Sequence, residues 1–168
     1  MTADKIPFAS VIGLLAALVS TALMGGALYF QYVVGLPPCD LCHWQRYPHL
    51  VAIAVGLAAL ASFAAPRLAY VFALAAILAL FVTAGIGVFH VGVEQHWWQG
   101  PQECSGHIPA GLSPAELKKY LFSAKMVRCD AIPWSLWGVS MAGWNAILSA
   151  GAAIVLSMGV ARHVRETP

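Results

Sequence analysis

Four long stretches without any Asp, Glu, Lys or Arg dominate the pattern of hydrophobic and polar positions along this chain. These uncharged stretches span residues 6–39, 47–66, 68–93 and 131–161. Each is at least as long as the ~20 apolar residues with which an α-helix crosses the hydrocarbon core of a bilayer. The pattern therefore predicts an all-α membrane protein built as a four-transmembrane-helix bundle. The predicted helices span roughly residues 9–34, 47–64, 68–93 and 138–161.

The predicted spans use most of the 168 residues, which leaves little room for a second folding unit. Residues 1–168 are therefore expected to form a single integral membrane domain. The first apolar run, from about Phe8 to Val34, is too long for the apolar core of a signal peptide, and Lys5 is the only cation before it. We expect this run to be retained as the first helix.

The composition agrees with the hydropathy pattern. The chain is 60% hydrophobic and only 10% charged, with a mean hydropathy of +0.76, whereas soluble domains carry about 25% charged residues. A soluble globular protein is thereby excluded. The net charge is +2, and no cluster of basic residues indicates a nucleic-acid partner.

All four cysteines lie in the two connections that leave the same side of the predicted bundle. Four spans place connections 35–46 and 94–137 in one aqueous compartment, and they contain Cys39, Cys42, Cys104 and Cys129. Lysine and arginine are divided almost evenly between the two sides and do not orient the protein. An even set of cysteines on one side favours an oxidising compartment, and the six tryptophans near that side resemble half of an aromatic belt.

The long second connection contains a pattern typical of a short helix. Ser113-Pro114-Ala115-Glu116 supplies an N-cap, a proline at the first helical position and the glutamate of a capping box. Apolar side chains follow at helical spacing, at Leu117, Tyr120, Leu121 and Ala124. The pattern predicts a helix lying on the membrane surface, with a helix packed on the rest of the loop as the alternative.

The stretch "LPPCDLCHWQRYP", residues 36–48, contains the most informative chemistry. A disulfide within Cys39-x-x-Cys42 closes a very small ring, so it removes little entropy from the unfolded chain and is a poor structural staple. Arg46 follows Cys42 by four residues, and the two share a helix face if the second helix begins near Cys42. A guanidinium there would favour the reactive thiolate. The spacing indicates a redox-active dithiol.

Other chemistries fit parts of the same pattern. Cys39-x-x-Cys42-His43 could attach a c-type haem, and four thiolates could bind zinc, although Cys104 and Cys129 lack close zinc-type spacing. A b-type haem between His49 and His90, in a membrane electron carrier with purely structural disulfides, is the main alternative function. A scaffold with two static disulfides is another, because four cysteines allow three pairings.

Three sequence features together resemble the bacterial disulfide-bond formation protein B (DsbB) family. They are the Cys-x-x-Cys-x-x-x-Arg motif of residues 39–46, the segment "FHVGVEQHWWQGPQEC" of residues 89–104 and the segment "CDAIPWSLWGVSMAGWN" of residues 129–145. The resemblance covers essentially the whole chain. It implies a protein-disulfide:quinone oxidoreductase of the bacterial inner membrane, with its cysteine loops facing the periplasm. The implied partners are a DsbA-like thioredoxin-fold protein and ubiquinone or menaquinone.

The resemblance also implies a role for each cysteine. Cys104 and Cys129 match the pair that meets the reduced partner, with Cys104 the sulfur that is attacked. Cys129 would then attack Cys39, and Cys42 would be released as the thiolate that faces the quinone beside Arg46.

The family also places a polar side chain near the quinone at the end of the third helix. Glu94 is the favoured match, with His90 and Gln95 as further candidates for quinone contact. No metal ligand is predicted.

Overall fold

The computed structural model describes residues 7–101, 113–116, 118 and 127–166. Four long helices make up most of this part of the chain: α1 Phe8–Tyr32, α2 Asp40–Ala61, α3 Pro66–Glu94 and α4 Met141–Glu166. A short antiparallel hairpin of β1 Ser135–Leu136 and β2 Val139–Ser140 precedes α4. The chain reverses between these strands at Trp137 and Gly138, which both have positive φ. The architecture is therefore helical, as the hydropathy pattern predicts.

Three of the helices are long and apolar enough to cross a membrane. They are α1, α3 and α4, whose most apolar segments have mean hydropathies of 2.1, 2.6 and 1.6. The second helix falls outside this group because its first three turns carry Asp40, Gln45, Arg46 and His49. The prediction of membrane helices is confirmed in length and composition for these three, and a crossing by α2 stays a prediction.

The second helix begins seven residues earlier than predicted, at Asp40 rather than at residue 47. Capping sets this start: Cys39 is the N-cap, its Sγ accepts a hydrogen bond from the Cys42 N–H, and Asp40 lies in the positive first turn. Pro48 lies inside the helix, where it cannot donate a backbone hydrogen bond. The remaining helix ends differ from prediction by a few residues.

Close helix contacts depend on small residues. A Cβ added at Gly13 of α1 would lie 2.4 Å from the Ala59 Cβ, and one at Gly56 of α2 would lie 2.5 Å from the Gly13 carbonyl oxygen. Gly87 of α3 likewise packs against Ala146 of α4. These approaches assemble the helices without large side chains, as is common where lipid surrounds a bundle.

The two ends of the bundle have different interiors. One end is packed mainly by alanine and a few larger aliphatic residues, among them Ala16, Ala59, Ala73, Ala76, Ile77, Leu80 and Ala153. At the other end, where α2 begins and α3 ends, a second buried cluster contains Cys39, Leu41, Val93 and Cys129. The fold therefore brings cysteines of both connections into one buried group.

Residues 113–116 and 118 of the second connection are also described. Ser113 and Glu116 form the predicted capping box: the Ser113 N–H donates to Glu116 Oε2 at 2.9 Å, and the Glu116 N–H donates to Ser113 Oγ at 3.4 Å. The Ser113 hydroxyl also donates to Glu116 Oε2, and this bond together with the one from the Ser113 N–H lowers the pKa of the exposed Glu116 carboxyl. Residues 114–116 and 118 are helical, while Leu117, Tyr120, Leu121 and Ala124 lie outside the described residues.

Candidate functional site

The site begins with the first-loop dithiol. Cys39 and Cys42 are both free thiols, and their sulfur atoms lie 2.9 Å apart. The hydrogen bond to Cys42, together with burial, raises the pKa of the Cys39 thiol above its usual value. The same hydrogen bond favours negative charge on Cys42, so Cys42 is the sulfur that becomes a thiolate more readily. A reactive Cys42 requires this difference in acidity between the two thiols.

Cys129 of the second connection lies directly against this dithiol. Its side chain is fully buried and disulfide-bonded, and its Sγ, the Cys39 Sγ and a ring nitrogen of His90 all lie within 4.8 Å of one another. Its two neighbours in the chain, Arg128 and Asp130, form an ion pair with each other, and this contact lowers the pKa of Asp130. Cys104 lies outside the described residues. The second connection therefore lies close to the first at Cys129.

His90 connects the two loops. Its Nε2 lies 3.2 Å from the Cys129 carbonyl oxygen and 3.6 Å from the Cys39 Sγ, and its Nδ1 lies 2.8 Å from the Gln45 Nε2. Gln45 Nε2 also donates to the Leu41 carbonyl, so Nδ1 accepts the amide hydrogen and the ring hydrogen belongs to Nε2. His90 therefore donates toward both the second loop and the Cys39 sulfur.

Glu94 lies one turn beyond His90, at the end of α3. It is buried and accepts a hydrogen bond from Ser140, and its Oε1 lies 4.0 Å from the His90 Nε2. The Ser140 oxygen also accepts from the Gly143 N–H at 3.1 Å, in the first turn of α4. Glu94 is therefore held between α3 and the start of α4, close to the cysteines.

Arg46 links α2 to α1. Its guanidinium donates to the Gln31 side-chain oxygen and, at 3.4 Å, to the Ala27 carbonyl oxygen. Helix α2 starts before Cys42, so Cys42 and Arg46 lie one turn apart as the spacing predicts. The guanidinium is thus fixed close to the dithiol by contacts with another helix.

A cavity of about 480 Å³ opens beside these groups. Its wall is mostly apolar, with side chains that include Leu23, Met24, Phe30, Trp134, Trp137 and Met141. Cys39, Cys42, Arg46, His90 and Glu94 line its polar part. Gln95, another residue predicted to contact quinone, is exposed at the C-terminal cap of α3 and does not line the cavity.

A chain of buried and half-buried polar side chains continues from His90 toward the middle of the bundle. Gln45 Oε1 accepts from Asn145 Nδ2 at 2.7 Å, Asn145 Oδ1 lies 2.9 Å from His49 Nε2, and His49 Nδ1 lies 3.2 Å from Ser20 Oγ. Thr83 adds a hydrogen bond to the Gln45 carbonyl at 2.9 Å. Sequence reasoning missed this chain, although polar residues inside uncharged apolar stretches are the signal that finds such groups.

The histidines proposed as b-haem ligands already have protein partners. His49 uses both ring nitrogens, toward Ser20 and Asn145, and His90 uses both, toward Gln45 and the Cys129 carbonyl. An axial ligand needs a ring nitrogen directed at the metal, so binding a haem would require breaking these contacts. The observed geometry therefore favours the dithiol chemistry over the haem alternative.

The chain was compared with known proteins. Residues 9–159 match the family described as disulfide bond formation protein DsbB. Disulfide bond formation protein B of Verminephrobacter eiseniae is 35% identical over 161 residues, covering 90% of this chain and 85% of that relative. The protein of the same name from Aromatoleum aromaticum is 33% identical, covering 90% of each chain, and that of Stutzerimonas stutzeri is 32% identical, covering 84% and 88%. No solved structure matches this chain.

Proposed function

Because this chain belongs to the family of disulfide bond formation protein DsbB, we propose that it is a quinone-dependent thiol oxidase. Membership supports the broader statement that it is a membrane oxidoreductase of disulfide bond formation. The finer proposal is that it reoxidises a periplasmic DsbA-like dithiol protein and passes the electrons to ubiquinone or menaquinone. The contact between Cys129 and the first-loop dithiol carries this proposal.

The proposed relay starts with a disulfide between Cys104 and Cys129. A thiolate of the reduced partner attacks Cys104 and bonds to it, which releases Cys129 as a thiolate. Cys129 then attacks Cys39 of an oxidised Cys39–Cys42 pair, so that a Cys39–Cys129 bond forms and Cys42 leaves as a thiolate. Each exchange needs a thiolate within reach of the next disulfide, and Cys129 and Cys39 meet this condition.

The relay then returns the second-loop pair to its oxidised state. The second thiol of the partner displaces Cys104, and the partner leaves with a new disulfide. Cys104 next attacks Cys129 and releases Cys39, so the partner's two electrons now reside on a Cys39–Cys42 dithiol. Two observations support this step, because Cys129 is disulfide-bonded while Cys39 and Cys42 are free thiols.

The cavity beside Cys42 fits a quinone. Quinone would accept the two electrons and two protons that are released when the Cys39–Cys42 dithiol is oxidised to a disulfide. A volume of about 480 Å³ and a mostly apolar wall suit a ring with a lipid tail. Arg46 would orient a quinone oxygen next to Cys42, with His90 and Glu94 at the same polar end. Gln95 does not belong to this set because it is outside the cavity.

We also propose the topology that the relay requires. Helix α2 would be the fourth span of one integral domain covering residues 1–168, in the bacterial inner membrane with both cysteine loops facing the periplasm. Helix α2 packs against both α1 and α3. If α2 and α3 both cross the membrane, the chain crosses twice between the two loops, so both loops lie on the same side. Impermeant thiol reagents should label the reduced cysteines only from the periplasmic side. Labelling of one loop from the cytoplasmic side would contradict this topology.

One experiment tests the activity directly. Purified protein is mixed with reduced DsbA and quinone without oxygen, and quinone absorbance is followed. We expect one quinone reduced for each DsbA disulfide formed. Oxidation of DsbA without quinone reduction, or neither reaction, would contradict the proposal.

A further inference from the structure

Two amide side chains, Gln45 and Asn145, connect the middle of the bundle to His90 at the cysteine end. We propose that these amides are positioning residues for the exchange between the two loops. They hold the His90 ring so that its Nε2–H keeps the Cys129 backbone beside Cys39. This inference rests on the proposed function, because it assigns the two amides to one step of the proposed relay, the attack of the Cys129 thiolate on the Cys39 sulfur.

The hydrogen bonds of the two amides run in one direction. Gln45 Nε2 has two hydrogens, which it donates to the Leu41 carbonyl oxygen at 3.2 Å and to His90 Nδ1 at 2.8 Å. Its Oε1 accepts from Asn145 Nδ2 at 2.7 Å, and the second Asn145 hydrogen goes to Thr83 Oγ1 at 3.1 Å. These bonds fix both amides against rotation. His90 Nδ1 is thereby an acceptor, and the neutral ring carries its hydrogen on Nε2.

The far end of the chain anchors Asn145. Since both of its nitrogen hydrogens are donated, its Oδ1 accepts from His49 Nε2 at 2.9 Å and from the Ser149 hydroxyl at 3.2 Å. His49 Nδ1 then accepts from the Ser20 hydroxyl at 3.2 Å. The chain of hydrogen bonds therefore fixes His90 relative to helices α1, α2 and α4.

His90 contacts the second loop through the main chain of that loop. Its Nε2 lies 3.2 Å from the Cys129 carbonyl oxygen and 3.6 Å from the Cys39 sulfur. The bond to the carbonyl does not involve the Cys129 sulfur, so it can persist whether that sulfur is in a disulfide or is a thiolate. The Cys129 and Cys39 sulfurs lie within 4.8 Å of each other. His90 therefore holds the attacking residue close to its target by a bond that the exchange leaves in place.

The exchange itself forms one S–S bond and breaks one, with no net change of oxidation state. The Cys129 thiolate bonds to Cys39, the Cys39–Cys42 bond breaks, and its electron pair leaves with Cys42 as a thiolate. Such a displacement needs the reacting atoms close together and aligned, and a misplacement of about 1 Å can lower the rate by about 100-fold. Loss of the amides that fix His90 should therefore slow this step in particular.

The exchange can be measured without DsbA or quinone. Full-length protein in detergent, oxidised at both cysteine pairs and freed of quinone, is mixed with reduced glutathione and quenched with acid at successive times. In the proposed relay, glutathione attacks Cys104, and Cys129 then forms the inter-loop disulfide with Cys39. Mass spectrometry of protease fragments follows the two events separately, as glutathione bound to Cys104 and as the Cys39–Cys129 bond.

Gln45→Met and Asn145→Leu are the test variants, since each replaces an amide by an apolar side chain of similar size. We expect the Cys39–Cys129 bond to form about 10–100-fold more slowly in both, while the attack by glutathione keeps its rate. Either test variant is decisive alone, so misfolding of one leaves the test intact. Ser149→Ala is the matched control, because it removes only a 3.2 Å bond to Asn145 Oδ1, and it should exchange at the wild-type rate.

A second control separates positioning from stability. Gly13→Ala places a Cβ 2.4 Å from the Ala59 Cβ at the apolar end of the bundle, so it should lower the unfolding temperature and leave the exchange rate unchanged. Unchanged exchange in a folded Gln45→Met or Asn145→Leu protein would overturn the inference. Equal slowing in Gly13→Ala would also overturn it, because the rate would then follow stability alone.

Failure of this inference and failure of the proposed function give different results. Exchange that depends on Gln45 and Asn145, in a protein that does not reduce quinone, would contradict the proposed oxidase and keep the inference. Quinone reduction with unaffected exchange in both variants would keep the oxidase and overturn the inference. If the wild-type protein forms no Cys39–Cys129 bond, the relay and the inference are both wrong.

Discussion

The two ends of the helix bundle are built by different means. At the end distant from the cysteines, α1 and α2 meet at Gly13 and Gly56, and the buried side chains are mostly alanines. At the cysteine end, many of the buried side chains are polar and hydrogen-bonded, and they border a cavity. Among the described residues, every buried side-chain nitrogen or oxygen has a hydrogen-bond partner.

This difference has a physical reason. Tight packing holds helices together only where the surfaces touch, and a cavity removes such contacts from the groups that line it. Directional hydrogen bonds between helices can hold the walls of a cavity in place without filling it. The comparison teaches that the apolar end supplies close packing, while the polar end holds the reactive groups in place around open space.

The largest expected effect concerns the dithiol at the polar end. Cys42→Ser should abolish quinone reduction by reduced DsbA, because the sulfur next to Arg46 and the cavity is lost. The thermal unfolding temperature in detergent should change little, since a half-buried thiol is replaced by a group of similar size. Quinone absorbance and circular dichroism measure the two quantities. Full activity in this variant would contradict the relay.

Next in size is the loss of the polar bridge at Asn145. Asn145→Leu removes the hydrogen bonds to Gln45 and His49, and a buried polar group left unpaired costs about 1–3 kcal/mol. We expect a clearly lower unfolding temperature and reduced turnover. Ser149→Ala is the matched control, since it deletes only a 3.2 Å bond to Asn145 Oδ1, which keeps His49 as a partner. Equal stability of the two variants would mean that hydrogen bonds do not hold the cavity wall.

A third variant tests the apolar end. Gly13→Ala places a methyl group 2.4 Å from the Ala59 Cβ, and such overpacking costs about 1–3 kcal/mol. Gly25→Ala, in the same helix, is the control because its added Cβ meets nothing within 4 Å. Thermal unfolding should fall for Gly13→Ala only. The same result for both would show that close approach is not what stabilises this end.

The smallest predicted effect is on quinone affinity. Arg46→Ala should raise the apparent KM for quinone about tenfold, equivalent to ~1.4 kcal/mol and near the value of a hydrogen bond to a charged group. The KM for reduced DsbA should stay the same, because in the proposed relay the partner meets the second loop and not Arg46. Arg46→Lys keeps the charge and serves as the control. An unchanged quinone KM in Arg46→Ala would show that Arg46 does not contribute to quinone binding in the cavity.

Much of the local structure could be predicted from particular residues. The uncharged stretches predict α1, α3 and α4 closely, since hydropathy and length decide a membrane helix. The start of α2 was predicted too late because the Cys39 cap, rather than hydropathy, begins that helix. Of the expected quinone contacts, Arg46, His90 and Glu94 line the cavity, while Gln95 does not. One residue along a helix turns a side chain by about 100°, so a cluster of polar residues at a helix end cannot be assigned to a cavity from sequence alone.

The sequence by itself determined the membrane helices, the loops that contain the cysteines and the one-turn spacing of Cys42 and Arg46, because all of these depend on neighbours along the chain. Only the tertiary structure decided that Cys129 lies against Cys39, that His90 contacts both loops and that Gln45, Asn145 and His49 form one hydrogen-bonded chain. Those contacts join residues far apart in sequence. They depend on where the helices cross, and the crossing is set by packing at positions such as Gly13 and Gly87 rather than by the reactive residues themselves.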